Sequence, residues 1–157
     1  MTPELFNRIV LTPALGLLPS HMDSPAARAM IVAICLQESR LRHRKQIGGP
    51  ARGFAQFERG GGVRGVLMHP ATKDHAAAVC VQLSYTPTPE VVYDALSDND
   101  VLAAVFARLL LWTLPQALPG PGEADKGWQQ YLSAWRPGKP HPETWAAFYD
   151  EAWGKIT

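Results

Sequence analysis

Residues 24–41 read SPAARAMIVAICLQESRL and carry the strongest structural signal in the chain. Ser24 followed by Pro25 is a common helix start, in which the hydroxyl caps the helix and proline occupies its first turn. Every residue from Ala29 to Leu36 is apolar, so this part of the helix has no polar face to turn toward water. The stretch therefore predicts a central helix over about residues 26–40 that is buried on all sides.

Helix signals recur along most of the remaining chain. Proline also follows Thr or His at positions 2, 12, 69, 88 and 141, which predicts further helix starts there. Apolar periodicity predicts a long helix over about residues 98–114, with Ser97 and Asp100 spaced as a variant capping box, and shorter helices over about 125–135 and 142–153. Seven glycines between residues 48 and 65 interrupt the pattern, and residues 53–58 alternate weakly like a short strand. We predict an all-α fold with one small β-hairpin or irregular glycine-rich loop.

Length and composition favour one soluble domain over residues 1–157. Hydrophobic residues make up 46% of the chain and charged residues 18%, which is too apolar for a disordered protein. The longest apolar run is far shorter than a membrane span requires, so no span is expected. Cys35 and Cys80 lie in apolar helical runs and are expected to be buried thiols rather than a disulfide. The N-terminus lacks the features of a secretory signal, so we expect synthesis in the cytoplasm.

The polar end of the central helix and the glycine-rich loop form a motif. Gln37-Glu38-Ser39 ends the helix, residues 49–57 read GPARGFAQF, and Gln56 lies eighteen residues after Glu38. In this order and spacing the chain resembles the lysozyme-like superfamily, specifically the soluble lytic transglycosylases and related phage muralytic domains. Their pattern is Gln-Glu-Ser followed by Gly-Ala-x-Gly-Leu-Met-Gln. The resemblance covers about residues 30–57, and beyond them only a succession of helices.

The chemistry of glycoside cleavage explains why an acid would stand there. Cleavage at neutral pH needs a carboxyl that is still protonated, and burial against apolar side chains disfavours the ionised form. Glu38 has Ile34 and Cys35 one helical turn before it, so it is the predicted general acid and later base. The resemblance implies that the base step takes a proton from the sugar's own 6-hydroxyl, so that one Glu suffices and no metal or cofactor is needed.

Loop residues are the predicted substrate contacts. Glycine lets backbone approach a sugar closely, and the amide of Gln56 can donate to and accept from an N-acetyl group or a hydroxyl. Phe54 and Phe57 alternate with Gln56, so one of the two rings is expected in the core. The predicted substrate-binding set is Ser39, Arg52, Gly53, Phe54 and Gln56.

The chain departs from the family pattern at two positions. The family has a serine nine residues after the acid, where this chain has Ile47. It also has Ala-Tyr-Asn on a later helix, whose tyrosine hydroxyl contacts the acid, and the nearest match here is Val-Phe-Ala, centred on Phe106. The tyrosines that could replace that hydroxyl in space are Tyr85, Tyr93 and Tyr131.

Charge is distributed unevenly along the chain. The net charge is +1, but residues 1–78 carry ten Lys and Arg against five Asp and Glu, and residues 79–157 carry five against nine. The first half is therefore expected to face an anionic partner or to pair with the second half, with Arg52 and Arg59 near the rim of a binding groove. A basic cluster follows Glu38 and either complements the helix dipole or attracts carboxylates or phosphates; it comprises Arg40, Arg42, His43, Arg44 and Lys45.

Other candidate residues favour structural roles. Glu58 could be a second carboxylate, but as a turn residue it is expected to pair with Arg59 or Arg64. The helical spacing of Trp128, Tyr131 and Trp135 indicates core packing. Because His69 and His75 lie on different helix faces with no further ligands, no metal site is expected. Asp74, Asp98 and Asp100 are acidic residues of the kind that favours helix starts.

Three function classes follow from these patterns. The first is a phage-related, peptidoglycan-cleaving glycosidase whose partners are the glycan strand and other virion proteins, and which reaches the periplasm within a virion, through a holin-like pore or at lysis. The second is an inactive lysozyme-like module with a structural or glycan-binding role. The third, motivated by the basic cluster, is a small helical nucleic-acid-binding protein, although a net charge near zero disfavours it.

Overall fold

The computed structural model describes residues 1–156, which are largely helical. A π-helical turn, Asn7–Leu11, joins the first two helices, a 3-10 turn, Ser20–Met22, precedes the third, and a second π-helical turn, Arg59–Val63, precedes the fourth. The prediction of an all-α fold is confirmed. The α-helices are α1 (Pro3–Phe6), α2 (Thr12–Gly16), α3 (Pro25–Ser39), α4 (Arg64–Met68), α5 (Lys73–Gln82), α6 (Pro89–Ala95), α7 (Asp100–Trp112), α8 (Ala124–Trp135) and α9 (Pro142–Lys155).

Helix α3 is the buried centre of the molecule, as its sequence predicts. The Ser24 hydroxyl oxygen accepts the N–H of Ala27 at 3.0 Å, and every residue from Ala29 to Leu36 is buried. Helices α7 and α9 pack against it. Burial of one large aliphatic side chain is worth about 1.5–3 kcal/mol, so packing rather than helix propensity holds this segment in place. The helix ends where Arg40 takes the left-handed conformation at φ 57°.

Local capping signals are right at some helix starts and wrong at others. The hydroxyls of Thr2, Ser24 and Thr88 cap α1, α3 and α6 as expected, and α9 begins at the predicted proline. Helix α2 begins at the predicted residue, Thr12, but Thr12 does not cap it, because the helical segment is continuous with the π-helical turn before it. Its hydroxyl there donates to the carbonyl of Asn7 at 3.1 Å, so it satisfies an acceptor one turn earlier.

Two other predicted starts are displaced by a few residues. His69 begins a turn, in which its Nδ1 accepts the N–H of Ala71 at 3.0 Å, and α5 begins only at Lys73. Helix α7 is capped by Asn99, whose side-chain oxygen accepts the N–H of Leu102 at 3.0 Å. The expected capping box therefore does not form, because the cap lies two residues after its predicted position at Ser97.

The sequence predicts either a small β-hairpin or an irregular loop in the glycine-rich segment, and the structure shows the irregular loop. Arg52 and Phe57 exchange both backbone hydrogen bonds at 2.8 Å, and the N–H of Gly53 donates to the carbonyl of Arg44 at 2.7 Å. Only isolated β-bridges occur within residues 1–156, so the weak strand expected over 53–58 is a tight turn instead. Gly53 has φ 75°, and a Cβ there would lie 3.3 Å from the side chain of Ala103 in α7, so this position needs glycine for two reasons.

Within residues 1–156, the two oppositely charged halves of the chain meet at one ion pair of the predicted sense. Arg44 binds Asp100 through two hydrogen bonds of 2.8 and 2.9 Å. A second pair of 2.8 Å, between Lys155 and Glu4, joins the halves with the signs reversed, so pairing explains the charge split only in part. Cys35 and Cys80 are free and buried. Within residues 1–156, no helix is both long and apolar enough to cross a membrane.

Candidate active site

Glu38 lies in the last turn of α3, where the buried helix meets a cleft. Its side chain is partly buried, and its Oε1 accepts the hydroxyl hydrogen of Tyr131 at 2.6 Å. Tyr131 comes from α8 and is separated from Glu38 by 93 residues in sequence. A carboxyl at the polar end of an apolar helix therefore receives a specific partner from a distant helix.

The surroundings of Glu38 keep its carboxyl protonated to an unusually high pH. Its pKa is raised from 4.5 to about 7, with burial as the largest cause and the negative charge of Glu58 acting in the same direction. The hydrogen bond from Tyr131 and the charge of His141 oppose this by favouring the ionised form. The result is a carboxyl that exchanges its proton near neutral pH, as a general acid and base must.

Tyr131 is held as a hydrogen-bond donor by an aromatic cluster. It is 3% exposed, its ring stacks on that of Trp145 with centroids 5.2 Å apart, and Trp128 and Trp135 lie within 6.3 Å of it. Burial and the nearby charge of Glu38 raise the pKa of the Tyr131 hydroxyl, so it keeps its proton. The predicted core packing of this aromatic group is confirmed, and one member also serves the site.

The other two candidate tyrosines lie elsewhere. Tyr93 donates its hydroxyl hydrogen to the carbonyl of Pro50, and the hydroxyl of Tyr85 accepts from Asn99 at 3.3 Å. The structure therefore selects Tyr131 among the three alternatives that the sequence leaves open.

The cleft beside Glu38 has a volume of about 520 Å³. One wall is formed by the end of α3 and the glycine-rich loop, including Gln56 and Glu58. Trp135 and the segment that follows α8, including Arg136 and Lys139, form the rest of the lining. The cleft therefore combines the carboxyl groups of Glu38 and Glu58 with the cationic groups of Arg136 and Lys139.

This arrangement corrects the predicted position of the basic rim. Arg52 is not part of the cleft wall: its guanidinium donates to the carbonyls of Gly49 and Ala51 and lies over the ring of Tyr93 at 5.4 Å. Arg59 lines a neighbouring groove instead. The cations at the cleft come from the second half of the chain, because the segment after α8 folds back across the end of α3.

Gln56 lines the cleft, and its side-chain amide also forms a hydrogen bond within its own loop. It has φ 54°, and its side-chain NH2 donates to the carbonyl of Gly53 at 2.9 Å. This bond fixes the amide and leaves its carbonyl oxygen as an available acceptor. Gln56 is the one predicted substrate-binding residue that the structure brings into the same cleft as Glu38.

Three predicted substrate contacts lie behind the cleft and act as supports. The Ser39 hydroxyl is 4% exposed and approaches the carbonyl oxygens of Cys35 and Phe54 at 3.1 and 2.6 Å, tying the loop to α3. Phe54 is 2% exposed, and Gly53 is buried against α7. One of the two loop phenylalanines is expected in the core, and the structure buries both, since Phe57 is only 3% exposed. The prediction that these residues contact the sugar is therefore wrong, and their role is in packing.

The two departures from the family pattern differ in their surroundings. Ile47, at the position where the family has serine, is 84% exposed. Phe106 is fully buried in α7, with its ring 6.5 Å from that of Phe57. A tyrosine at this position would therefore point into the core of this molecule.

The basic cluster after Glu38 does not form one open cationic surface. Arg40 lies over the ring of Phe148 at 4.7 Å, and Arg44 is paired with Asp100 while it lies over Phe54 at 4.4 Å. All five residues of the cluster are exposed. The guanidinium groups of Arg40 and Arg44 are nevertheless held by these contacts, so the cluster is not uniformly available to a ligand.

The sequence does not predict that the segment after α8 and Glu58 line the cleft. Residues 136–140 read as a helix stop and loop, and no spacing rule connects them to an acid about a hundred residues earlier. Glu58 was predicted to pair with Arg59 or Arg64, yet within residues 1–156 it forms no ion pair and lines the cleft instead. Its position directly after the Gln56 motif is the signal that could have placed it there.

Comparison of the chain with protein-family models, with curated proteins and with solved structures gives no match. The similarity to the lysozyme-like superfamily therefore stays a prediction that rests on the motif around Glu38 and Gln56.

Proposed function

We propose that this chain cleaves glycosidic bonds of peptidoglycan, with Glu38 as the catalytic acid and base. The observation that carries the proposal is the Glu38 carboxyl itself, whose pKa is raised to about 7 and which is bonded to Tyr131 beside a cleft of about 520 Å³. An acid of this kind is what glycoside cleavage at neutral pH requires. Desolvating a carboxyl costs stability, and a surface helix end needs no such residue.

In the proposed mechanism, protonated Glu38 donates its proton to the glycosidic oxygen as the bond to the anomeric carbon breaks. The resulting carboxylate then removes a proton from the sugar's own 6-hydroxyl, which closes an anhydro ring, or from a water molecule, which gives hydrolysis. The Tyr131 hydroxyl stabilises the carboxylate between these two steps. The charge of Glu58 would favour the positive charge that develops on the sugar ring.

The walls of the cleft support a glycan as the ligand. The free carbonyl oxygen of Gln56 can accept from an N-acetyl group or a hydroxyl, and the partly exposed ring of Trp135 offers an apolar face. Arg136 and Lys139 are exposed, line the same cleft as Glu38 and suit the carboxylates of peptidoglycan stem peptides. Delivery to the wall within a virion or at lysis belongs to the same proposal.

The test is cleavage of purified peptidoglycan by the whole chain and by Glu38→Gln. Glutamine keeps the shape and a hydrogen-bond acceptor for Tyr131 but has no titrating proton, so the rate should fall by at least about 10²-fold while the fold is kept. Glu151→Gln, an exposed change on α9, is the matched control and should leave the rate unchanged. Mass analysis separates the outcomes, since an anhydro product lacks one water relative to a hydrolytic product. Full activity in Glu38→Gln would exclude Glu38 as the acid.

The alternative is a glycan-binding module of the same fold that does not cleave. The observation in its favour is the exposed Ile47, at a position where the resembling enzymes have serine. Binding of native protein to peptidoglycan without release of products would support this alternative. The nucleic-acid-binding hypothesis is weaker, because Arg40 and Arg44 are held by Phe148 and Asp100; retardation of duplex DNA that falls steeply with salt would revive it.

A further inference from the structure

A second cavity lies at the opposite end of α3 from Glu38. Its volume is about 640 Å³, and it is bounded by Ser24 and Ala26 at the start of α3, by Arg108 and Trp112 in α7, and by the loop that follows α7. A helix rises 1.5 Å per residue, so the start of α3 lies about 20 Å from Glu38. The cavity is therefore separate from the proposed active site and plays no part in the mechanism described above.

Arg108 is a buried cation with unused hydrogen-bond donors in this cavity. It is 4% exposed, its Nε donates to the carbonyl of Met22 at 2.7 Å, and its guanidinium lies over Trp112 at 5.2 Å. Among residues 1–156 no acceptor binds its two NH2 groups. Asp23, whose charge acts on Arg108, is held instead by Arg28 through bonds of 2.8 and 2.9 Å.

The charge of Arg108 persists at neutral pH. Burial lowers its pKa to about 10, which is still well above neutrality, so the guanidinium stays charged. Asp23 offsets part of the cost of this buried charge, while the two NH2 groups are not fully enclosed and remain open to the cavity. A bound anion at this point would pair with them directly.

The remaining walls define what kind of anion fits. Leu111, Leu114 and Leu118 join Trp112 in an apolar lining. Arg108 is the one cation lining the part of the cavity that residues 1–156 form, and Asp23 adds a negative charge nearby, so a ligand with a single negative charge fits better than a dianion. The two free NH2 groups of a guanidinium form a planar fork that matches a carboxylate.

We propose that this cavity binds a small monocarboxylate with an apolar body, with Arg108 holding the carboxylate through its two NH2 groups. The apolar body lies against Trp112 and the leucines of the lining. The Ser24 hydroxyl, whose oxygen accepts the N–H of Ala27, has a free hydrogen that can donate to the same carboxylate. The site does not depend on Glu38, so its test is independent of the test of the proposed glycosidase activity.

The probe is 4-phenylbutyrate, with 4-phenylbutanamide as its neutral isostere. Binding to the whole chain is followed by NMR, through the side-chain Nε–H of Arg108 and the indole N–H of Trp112. The acid should shift both signals with saturable binding, and the amide should bind at least about tenfold more weakly, because it cannot form the charged hydrogen bonds with Arg108. Equal binding of acid and amide, or shifts that map to other residues, would overturn the proposal.

Variants separate the role of the charge from that of the cavity. Arg108→Gln should weaken binding of the acid by at least about tenfold. Ala117→Phe fills the cavity from its exposed loop, leaves Arg108 in place and should abolish binding, so the proposal remains testable even where Arg108→Gln fails to fold. Arg64→Gln, an exposed change in α4, is the control and should bind like native protein. Unchanged affinity in Ala117→Phe would place the ligand elsewhere and refute the assignment.

Discussion

Glu38→Gln should make the folded protein more stable, and the gain should depend on pH in a defined direction. The native carboxyl has its pKa raised from 4.5 to about 7 because the fold buries it. Between these pH values the folded chain holds a proton that the unfolded chain has released. Native stability should therefore fall as the pH rises through this window, because ionisation then favours the unfolded chain.

The size of the effect follows from the two pKa values. Each tenfold difference in proton affinity corresponds to about 1.4 kcal/mol, so the separation between 4.5 and about 7 costs the native fold about 3 kcal/mol above pH 7. Glutamine carries no such penalty, and its side-chain oxygen can still accept from Tyr131. The variant should be the more stable of the two by up to about 3 kcal/mol at pH 8, and this advantage should disappear below about pH 4.5.

Urea unfolding of both proteins at a series of pH values measures this difference. Glu151→Gln is the matched control, since it removes an exposed carboxyl from α9 and should change the free energy of unfolding by less than about 0.5 kcal/mol. A stability difference between native protein and Glu38→Gln that stays constant from pH 4 to pH 8 would refute the argument. It would mean that the carboxyl has the same proton affinity in both states.

Three further changes probe the site and its support. Tyr131→Phe removes the hydrogen bond that favours the ionised carboxyl, so the pKa of Glu38 should rise further, by about one to two, in a carbon-13 NMR titration; an unchanged pKa would contradict the geometry. Glu58→Gln removes a neighbouring negative charge, so the same titration should show a lower pKa for Glu38, by less than about one. A higher pKa in this variant would contradict the effect that we assign to Glu58. Phe54→Ala should cost about 3–5 kcal/mol in urea unfolding because the ring is buried, whereas a loss of glycan binding with little loss of stability would restore its predicted role as a sugar contact.

The features that the sequence predicts well are those with local causes. The apolar run from Ala29 to Leu36 can only be a buried helix, and the caps at Thr2, Ser24 and Thr88 act on N–H groups three residues away. The same local reasoning fails for the caps at Thr12 and His69, because the helical segment is already continuous through Thr12 and His69 begins a turn rather than a helix. Packing around these positions, which involves distant residues, decides between the two outcomes.

The substrate contacts in the glycine-rich loop show a second limit. The motif correctly brings Gln56 to the same cleft as Glu38, but it does not distinguish residues that touch a ligand from residues that shape the loop. Ser39 and Phe54 are parts of the motif because the loop must be tied to the end of α3, through a hydroxyl-to-carbonyl contact of 2.6 Å. A spacing pattern contains both kinds of residue, and only burial separates them.

Tyr131 shows what a non-local site requires. The hydroxyl that holds the acid can come from any helix that reaches it, so the residue at the expected position, Phe106, is free to become core while a helix much later in the chain supplies the group. The aromatic spacing of Trp128, Tyr131 and Trp135 predicts burial, and a buried tyrosine hydroxyl needs a polar partner. The end of an apolar helix offers such a partner in Glu38. Considering both needs together would have favoured this pairing from sequence, because each buried polar group solves the problem that the other one creates.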